Sequence, residues 1–367
     1  MSIIRETTVV GRVSRPVRAG PDSMGLPCSD GPGDPSYKHA TCFLIMANVS
    51  TRVMNATLRL GGLLTLALMA TQGCSRKEQL PSSNHLATRP VIYTTFYPTF
   101  YFAKIIGGDA VEVVNPCPCD EDPPFWTPSA QAIADYQRAD MVIINGAGYE
   151  KWIDNVSLPE NRLVDSTKSL QSVLIRYPDA VTHSHGPAGA HAHAGVDGST
   201  WLDPMSALAQ AATIKVAMET AFPEFKETFE KGFAALDGQL KALDRELAEL
   251  SKGHAGLSFA CSHPTYGYLA RRYGWNMVPL ILDPNKPLDS EAIRQVKDKL
   301  AGQNVKYILW ESEPMDVVQT QFKRDLGLTS MVFNPCEVMR PADLDSGANY
   351  VSVMRRNIAD LRRLLNQ

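Results

Sequence analysis

The 367-residue sequence has no uninterrupted apolar run long enough to cross a bilayer, so nothing in it reads as a transmembrane helix. It also lacks a basic stripe with interleaved aromatics. Its 36 Lys and Arg against 39 Asp and Glu leave a formal charge of -3, which argues against a nucleic-acid partner. No Ser-His-Asp set, phosphate-cradling loop or pair of catalytic carboxylates occurs in a supporting context, so the chain does not read as an enzyme. The Cys-x-x-Cys redox motif is missing too. Cys117-Pro-Cys119 is one residue tighter and lies in a loop, away from any helix start that would stabilise a thiolate, which leaves a periplasmic thiol redox protein as a secondary reading. No short internal repeat is visible. What remains is globular, with 44% hydrophobic and 20% charged residues, and is long enough for two domains of roughly 150 residues each.

The first 90 residues differ from the rest. Residues 1–45 carry Gly, Pro, Ser and Arg without a sustained apolar period, as a disordered extension or a stretch upstream of the true start would. From Met46 or Met54 a positive flank (Arg52, Arg59) precedes the short apolar stretch Gly61 to Ala70 and a small-residue exit at Cys74, the layout of a secretory signal. Gly73-Cys74 and the polar "SRKEQLPSSNH" behind it resemble a bacterial lipoprotein signal, with Cys74 lipidated, although Thr71 stands where Leu is usual. The expectation is an extension plus export signal over 1–74 and a polar tether over 75–89. Beyond Cys74 four cysteines remain: Cys117, Cys119, Cys261 and Cys336. In an oxidising compartment an even number permits disulfides, and it equally permits a thiolate metal site.

From residue 90 strands alternate with helices. "VIYTT", "VEVV" and "MVIIN" read as strands, with helices from Pro98 to Gly107-Gly108 and after the cap residue Ser129. Residues 176–200 are dominated by Gly, Pro, Ala and His and read as a long mobile loop. Order resumes at "WLDP", where Asp203 suits a helix N-cap and Pro204 the first helical position. Phe225, Phe229, Phe233, Leu236, Leu240, Leu243, Leu247 and Leu250 then form one helical stripe, predicting a helix over 223–253. A second alternation follows: "LSFACSH", "NMVPLIL", "VKYILWE" and "TSMVFNP" as strands, with helices between them and a closing helix from Tyr350. This predicts an α/β fold of two lobes, 90–222 and 254–367, each with a mainly parallel sheet, joined by one long helix.

"YPTFYFAKIIGGDAVEV", "ADMVIINGAGYEKWI", "WLDP" and "SHPTYGYLARRYGW", in this order, resemble the solute-binding proteins of zinc and manganese ABC transporters. The resemblance spans roughly residues 90–367. It implies an exported, membrane-anchored monomer, periplasmic or on the cell surface, that captures a metal ion in a cleft between the lobes and passes it to a membrane permease. It also implies four ligand positions, and the chain keeps one. Ser262-His263 is intact, whereas Pro124, Ser199 and Asn334 stand where the family places its other ligands.

Chemistry suggests replacements. Cys117, Cys119, Glu121 and Asp122 lie just before Pro124. Cys261 is two residues before His263 and shares its face if the strand continues. Cys336 and Glu337 follow Asn334 closely. A site of His263 with Cys119, Cys336 and either Cys261 or Glu337 would favour zinc first and Cu(I) second, with manganese least suited. A Cys119–Cys336 disulfide closing the cleft is the first alternative. The second is loss of the metal site, leaving a scaffold or adhesin. Glu311 and Glu313 end a strand that points toward the cleft and can serve as spare ligands. His183, His185, His191 and His193 match in position the metal-collecting loop that the resemblance implies for zinc-specific members.

Overall fold

The computed structural model describes residues 89–184, 190–254 and 256–366. The N-terminal extension, the export signal with Cys74, and His185 lie outside the described residues.

The first sheet takes β1 (Val91–Thr94), β2 (Glu112–Val114), β3 (Met141–Ile144) and β4 (Leu163–Asp165), with α1 (Tyr97–Gly107) and α2 (Ala130–Arg138) between them. The strand order is β2-β1-β3-β4, and every pairing is parallel. Met141, Val142 and Ile143 are all buried, as a central parallel strand covered on both faces requires. Pro98 sits in the first turn of α1, and Gly108 ends the helix at φ 53°. Ser129 caps α2 by accepting the Ala132 N–H at 3.1 Å.

Residues 176–196 contain β5 (Arg176–Ser184) and β6 (Ala190–Val196), an antiparallel ribbon that pairs His183 with His191 and Val181 with His193. This corrects the expected structureless loop. The period-two alternation of "AHAHA" opposite the β-branched Val181 and Thr182 is a strand pattern that the Gly, Pro and Ala content hides.

Next come α3 (Pro204–Ala221), capped by Asp203 accepting the Met205 N–H at 2.9 Å, and α4 (Lys226–Lys252). Pro223–Phe225 forms a separate tight turn, so α4 starts later than the stripe alone suggests. Its 27 residues span about 40 Å. Phe229, Leu236, Leu240, Leu243, Leu247 and Leu250 are buried along it, and it packs on α1 and α3 as well as on elements of the second half.

The second sheet takes β7 (Ser258–Cys261), β8 (Asn276–Pro279), β9 (Tyr307–Trp310) and β10 (Thr329–Val332) in the order β10-β9-β7-β8, again all parallel. The helices here are α5 (Gly267–Tyr273), α6 (Ser290–Leu300), α7 (Asp316–Gln321), α8 (Pro341–Asp345) and α9 (Tyr350–Leu365). α7 runs into one π turn over Phe322–Leu326, and Asn349 caps α9 in a reciprocal box with Ser352.

One apolar cluster includes Ile92 and Ile143 of the first sheet, the α4 leucines, and Phe259 and Leu309 of the second. A further cluster, with Val278, Ile308, Val318 and Phe322, belongs to the second half alone. Polar ties join the halves as well. Trp201 Nε1 donates to the Pro335 carbonyl at 2.7 Å, and the Tyr97 N–H donates to the Glu337 carbonyl at 3.1 Å. No helix of the described residues is long and apolar enough to cross a membrane.

Candidate metal-binding cleft

A cavity of about 1060 Å³ is walled by the loops that follow β2, β3, β7, β9 and β10, so it lies at the carboxyl ends of both sheets. His263, just after β7, is 4% exposed and faces this cavity. Its Nδ1 is 3.1 Å from Glu311 Oε2, at the end of β9. The other Glu311 oxygen accepts a hydrogen bond from the Thr265 hydroxyl. A carboxylate beside one ring nitrogen is the usual support for a metal-binding histidine.

Two more carboxylates face the same space. Asp122 is raised from 3.8 to about 6, by burial first and then by the charge of Glu311, with His263 acting in the opposite direction. Glu337 is raised well above 4.5 by burial and by the charges of Glu311, Asp122 and Asp197. Like charges gathered away from water disfavour one another, and a bound cation reverses that balance. Asp197, 4% exposed, is raised to about 6 by burial, although the Ser199 N–H at 2.8 Å and the Tyr177 hydroxyl at 3.1 Å both donate to it.

Tyr149 forms another part of the wall. The buried Glu150 holds its loop, accepting from the Thr95 hydroxyl at 2.5 Å and from the Asn145 and Gly146 N–H groups at 2.6 and 3.2 Å. The Tyr149 side chain is 6% exposed, and its hydroxyl has no hydrogen-bond partner among the described residues. Burial, then the charges of Glu337 and Asp122, push the phenol well above its ordinary value. A buried hydroxyl left in this state costs about 1–3 kcal/mol. In this conformation no three His, Cys, Asp or Glu side chains among the described residues stand together at metal-holding distance. The acidic groups surround the cavity and do not meet at one point.

A family profile described as zinc-uptake complex component A, periplasmic (ZnuA), matches residues 92–364. The chain belongs to the ZnuA family. It is similar to the zinc-binding lipoprotein AdcA of Streptococcus pneumoniae, with 28% identity over 316 residues, covering 85% of this chain and 61% of that protein. The chain thus spans about three fifths of the AdcA length. It is 26% identical over 306 residues to the high-affinity zinc uptake system protein ZnuA of Bacillus subtilis, covering 82% of this chain and 96% of that one. Among solved structures, the metal-dependent lipoprotein YcdH of B. subtilis superposes with a TM-score of 0.65 at 25% identity, over 75% of this chain and 98% of YcdH. The Zn(II)-bound ZnuA-like domain of S. pneumoniae AdcA gives 0.64 at 26% identity, over 76% of this chain and all of that domain.

At Pro124, Ser199 and Asn334, the positions that the sequence resemblance singles out, the structure gives each residue a local task. Pro124 is buried, and its carbonyl accepts the Lys151 N–H at 3.0 Å. Ser199 donates its N–H to Asp197. Asn334 Oδ1 accepts the Cys336 N–H at 2.7 Å, closing a turn on its own backbone.

The sequence-expected site residues divide into two groups. His263, Asp122, Glu337, Glu121 and Cys119 line the cavity, with Glu121 and Cys119 exposed. Cys117, Cys261 and Cys336 do not line it. Cys117 is buried among Trp126, Tyr136 and Trp152, and burial pushes its thiol up to about 12. Cys261 lies in the core that runs past α4; β7 ends there, so the two-residue alternation does not carry on to His263. Cys336 is fully buried at φ 62°, its sulfur 3.8 Å from that of Met339. Burial raises both of these thiols. Cys117, Cys119, Cys261 and Cys336 are all free, so among the described residues no disulfide closes the cleft. His183, His191 and His193 lie on the β5–β6 ribbon. Tyr149, Asp197 and Thr265 escaped the sequence reading. Tyr149 had one usable signal, its place just past the carboxyl end of a central parallel strand.

Proposed function

We propose that this ZnuA-family chain is an exported solute-binding protein that captures one zinc ion in its interlobe cleft and hands it to an ABC permease. It works as a transport component and not as an enzyme, held at the outer face of the membrane by lipid on Cys74. The observation that carries this reading is the buried His263, beside Glu311, in a cavity that Asp122, Asp197 and Glu337 also line. The zinc named for its relatives AdcA and ZnuA supports the choice of ion. Zinc accepts mixed nitrogen and oxygen ligands, so the kept imidazole is a fitting first contact. The histidines of the β5–β6 ribbon collect metal for that site.

The test is zinc titration of metal-stripped, reduced protein by calorimetry. One equivalent should bind, and His263→Ala should weaken binding about 100-fold or more. A wild-type chain that takes up no zinc, or a His263→Ala variant that binds as well as wild type, overturns the reading.

A further inference from the structure

We propose that Tyr177, at the root of the β5–β6 ribbon, is a positioning residue for the cleft: its hydroxyl ties the peptide beside His263 to the Asp197 loop of the first half. This rests on reading the cleft as the zinc-capture site, and it adds a residue that acts through His263 and not on the ion.

The two flanks of His263 are held differently. Upstream, the Ser262 N–H donates to the Leu309 carbonyl and the Ser262 carbonyl accepts the Leu282 N–H, both at 2.9 Å, so the second sheet fixes that side. Downstream, β7 has already ended at Cys261, and Pro264 brings no N–H of its own. Here the first half supplies the hold. The Tyr177 hydroxyl lies 3.2 Å from the Pro264 carbonyl and 3.1 Å from Asp197 Oδ2. One phenolic proton therefore serves two acceptors, one from each half of the chain. Tyr177, Asp197, His263 and Pro264 all line the cavity.

The root from which Tyr177 reaches is itself fixed. Tyr177 pairs with Gly195 and Arg176 with Val196, and the Asp197 N–H donates to the Ile175 carbonyl at 2.9 Å. Tyr268 of α5 clasps the same root, its hydroxyl accepting the Ile175 N–H at 3.1 Å and donating to the Asp197 carbonyl at 2.8 Å. α5 approaches so closely that a Cβ on Gly267 would lie 2.7 Å from Asp197 Oδ2. A hydroxyl carried on a paired and clasped backbone keeps its aim, as the outer support of a metal-binding residue must. Tyr268 bonds only the backbone of the root, whereas Tyr177 carries that docking on to the peptide of His263.

The experiment uses zinc itself with metal-stripped, reduced protein. Tyr177→Phe keeps the ring, removes only the hydroxyl, and should weaken zinc about tenfold. Cobalt(II) bound in place of zinc gives visible bands that follow the geometry of its ligands. Those bands should shift in Tyr177→Phe, which a loss of stability alone would not produce. Tyr268→Phe is the structural comparison. It should lower the melting temperature of the metal-free protein while zinc affinity and the cobalt bands stay near wild type. Wild-type affinity or unmoved cobalt bands in Tyr177→Phe, with His263→Ala still impaired, overturns the positioning role and leaves the function standing. So does an equal loss of affinity in Tyr268→Phe, which would place the effect in the docking of the root. Failure of wild type to bind zinc overturns the functional reading as well.

Discussion

Asp197 shows how a cleft that gathers carboxylates affects the fold. Its folded-state pKa is raised from 3.8 to about 6, so between these values the native protein binds a proton that the unfolded chain has released. Stability from this group is therefore highest at low pH and falls as pH rises through about 6. Two units amount to roughly 3 kcal/mol. Asp122, also raised to about 6, adds in the same direction. Metal-free protein is expected to melt several degrees higher at pH 5 than at pH 7.5, and Asp197→Asn should flatten that difference. An unchanged slope in the variant would contradict the assignment. At this scale the sequence was only partly informative. His263 is singled out by the family resemblance carried in Ser262-His263, and it lines the cavity. The fate of Asn334 could not be read, because its bond to the Cys336 N–H depends on a left-handed backbone at residue 336 that no local pattern announces.

Among the elements, α4 makes the clearest demand on a single residue. A Cβ at Gly232 would lie 2.3 and 2.5 Å from the carbonyl oxygens of Ile105 and Ile106 in α1. These are backbone atoms of a packed helix and cannot step aside. Gly232→Ala is expected to destabilise by about 1–3 kcal/mol or more through overpacking. Gly238, one and a half turns on, has open space around it, so Gly238→Ala should instead stabilise by up to about 1 kcal/mol. Denaturant unfolding of the pair checks both signs together, and equal effects would mean that α4 does not press on α1. Spacing revealed α4 because its stripe repeats over seven turns. The β5–β6 ribbon was hidden because its alternating positions are Ala and His, which carry little apolar contrast. The π turn after α7 was hidden because one extra residue per turn leaves no mark on hydrophobic periodicity.

Across the whole molecule, the two sheets share one apolar cluster through α4 and are joined at the cleft by Trp201 and Tyr97. A boundary crossed by buried leucines and backbone hydrogen bonds does not let one half melt alone. Calorimetry should show one transition with matching calorimetric and van't Hoff enthalpies. Trp201 is the sensitive point. Its ring packs edge-on against Phe96 and Tyr149, at centroid distances of 4.8 and 5.2 Å, while its N–H holds the loop that bears Glu337. Trp201→Phe leaves the Pro335 carbonyl without its donor and should cost about 1–3 kcal/mol. Zinc at a thousandfold excess over its dissociation constant adds about 4 kcal/mol to wild type, seen as a rise in melting temperature. If the Trp201 N–H positions the Glu337 loop as well as stabilising it, the zinc-induced rise must shrink in Trp201→Phe. A variant that melts lower yet gains the full zinc increment would show that Trp201 holds the halves together without shaping the site between them.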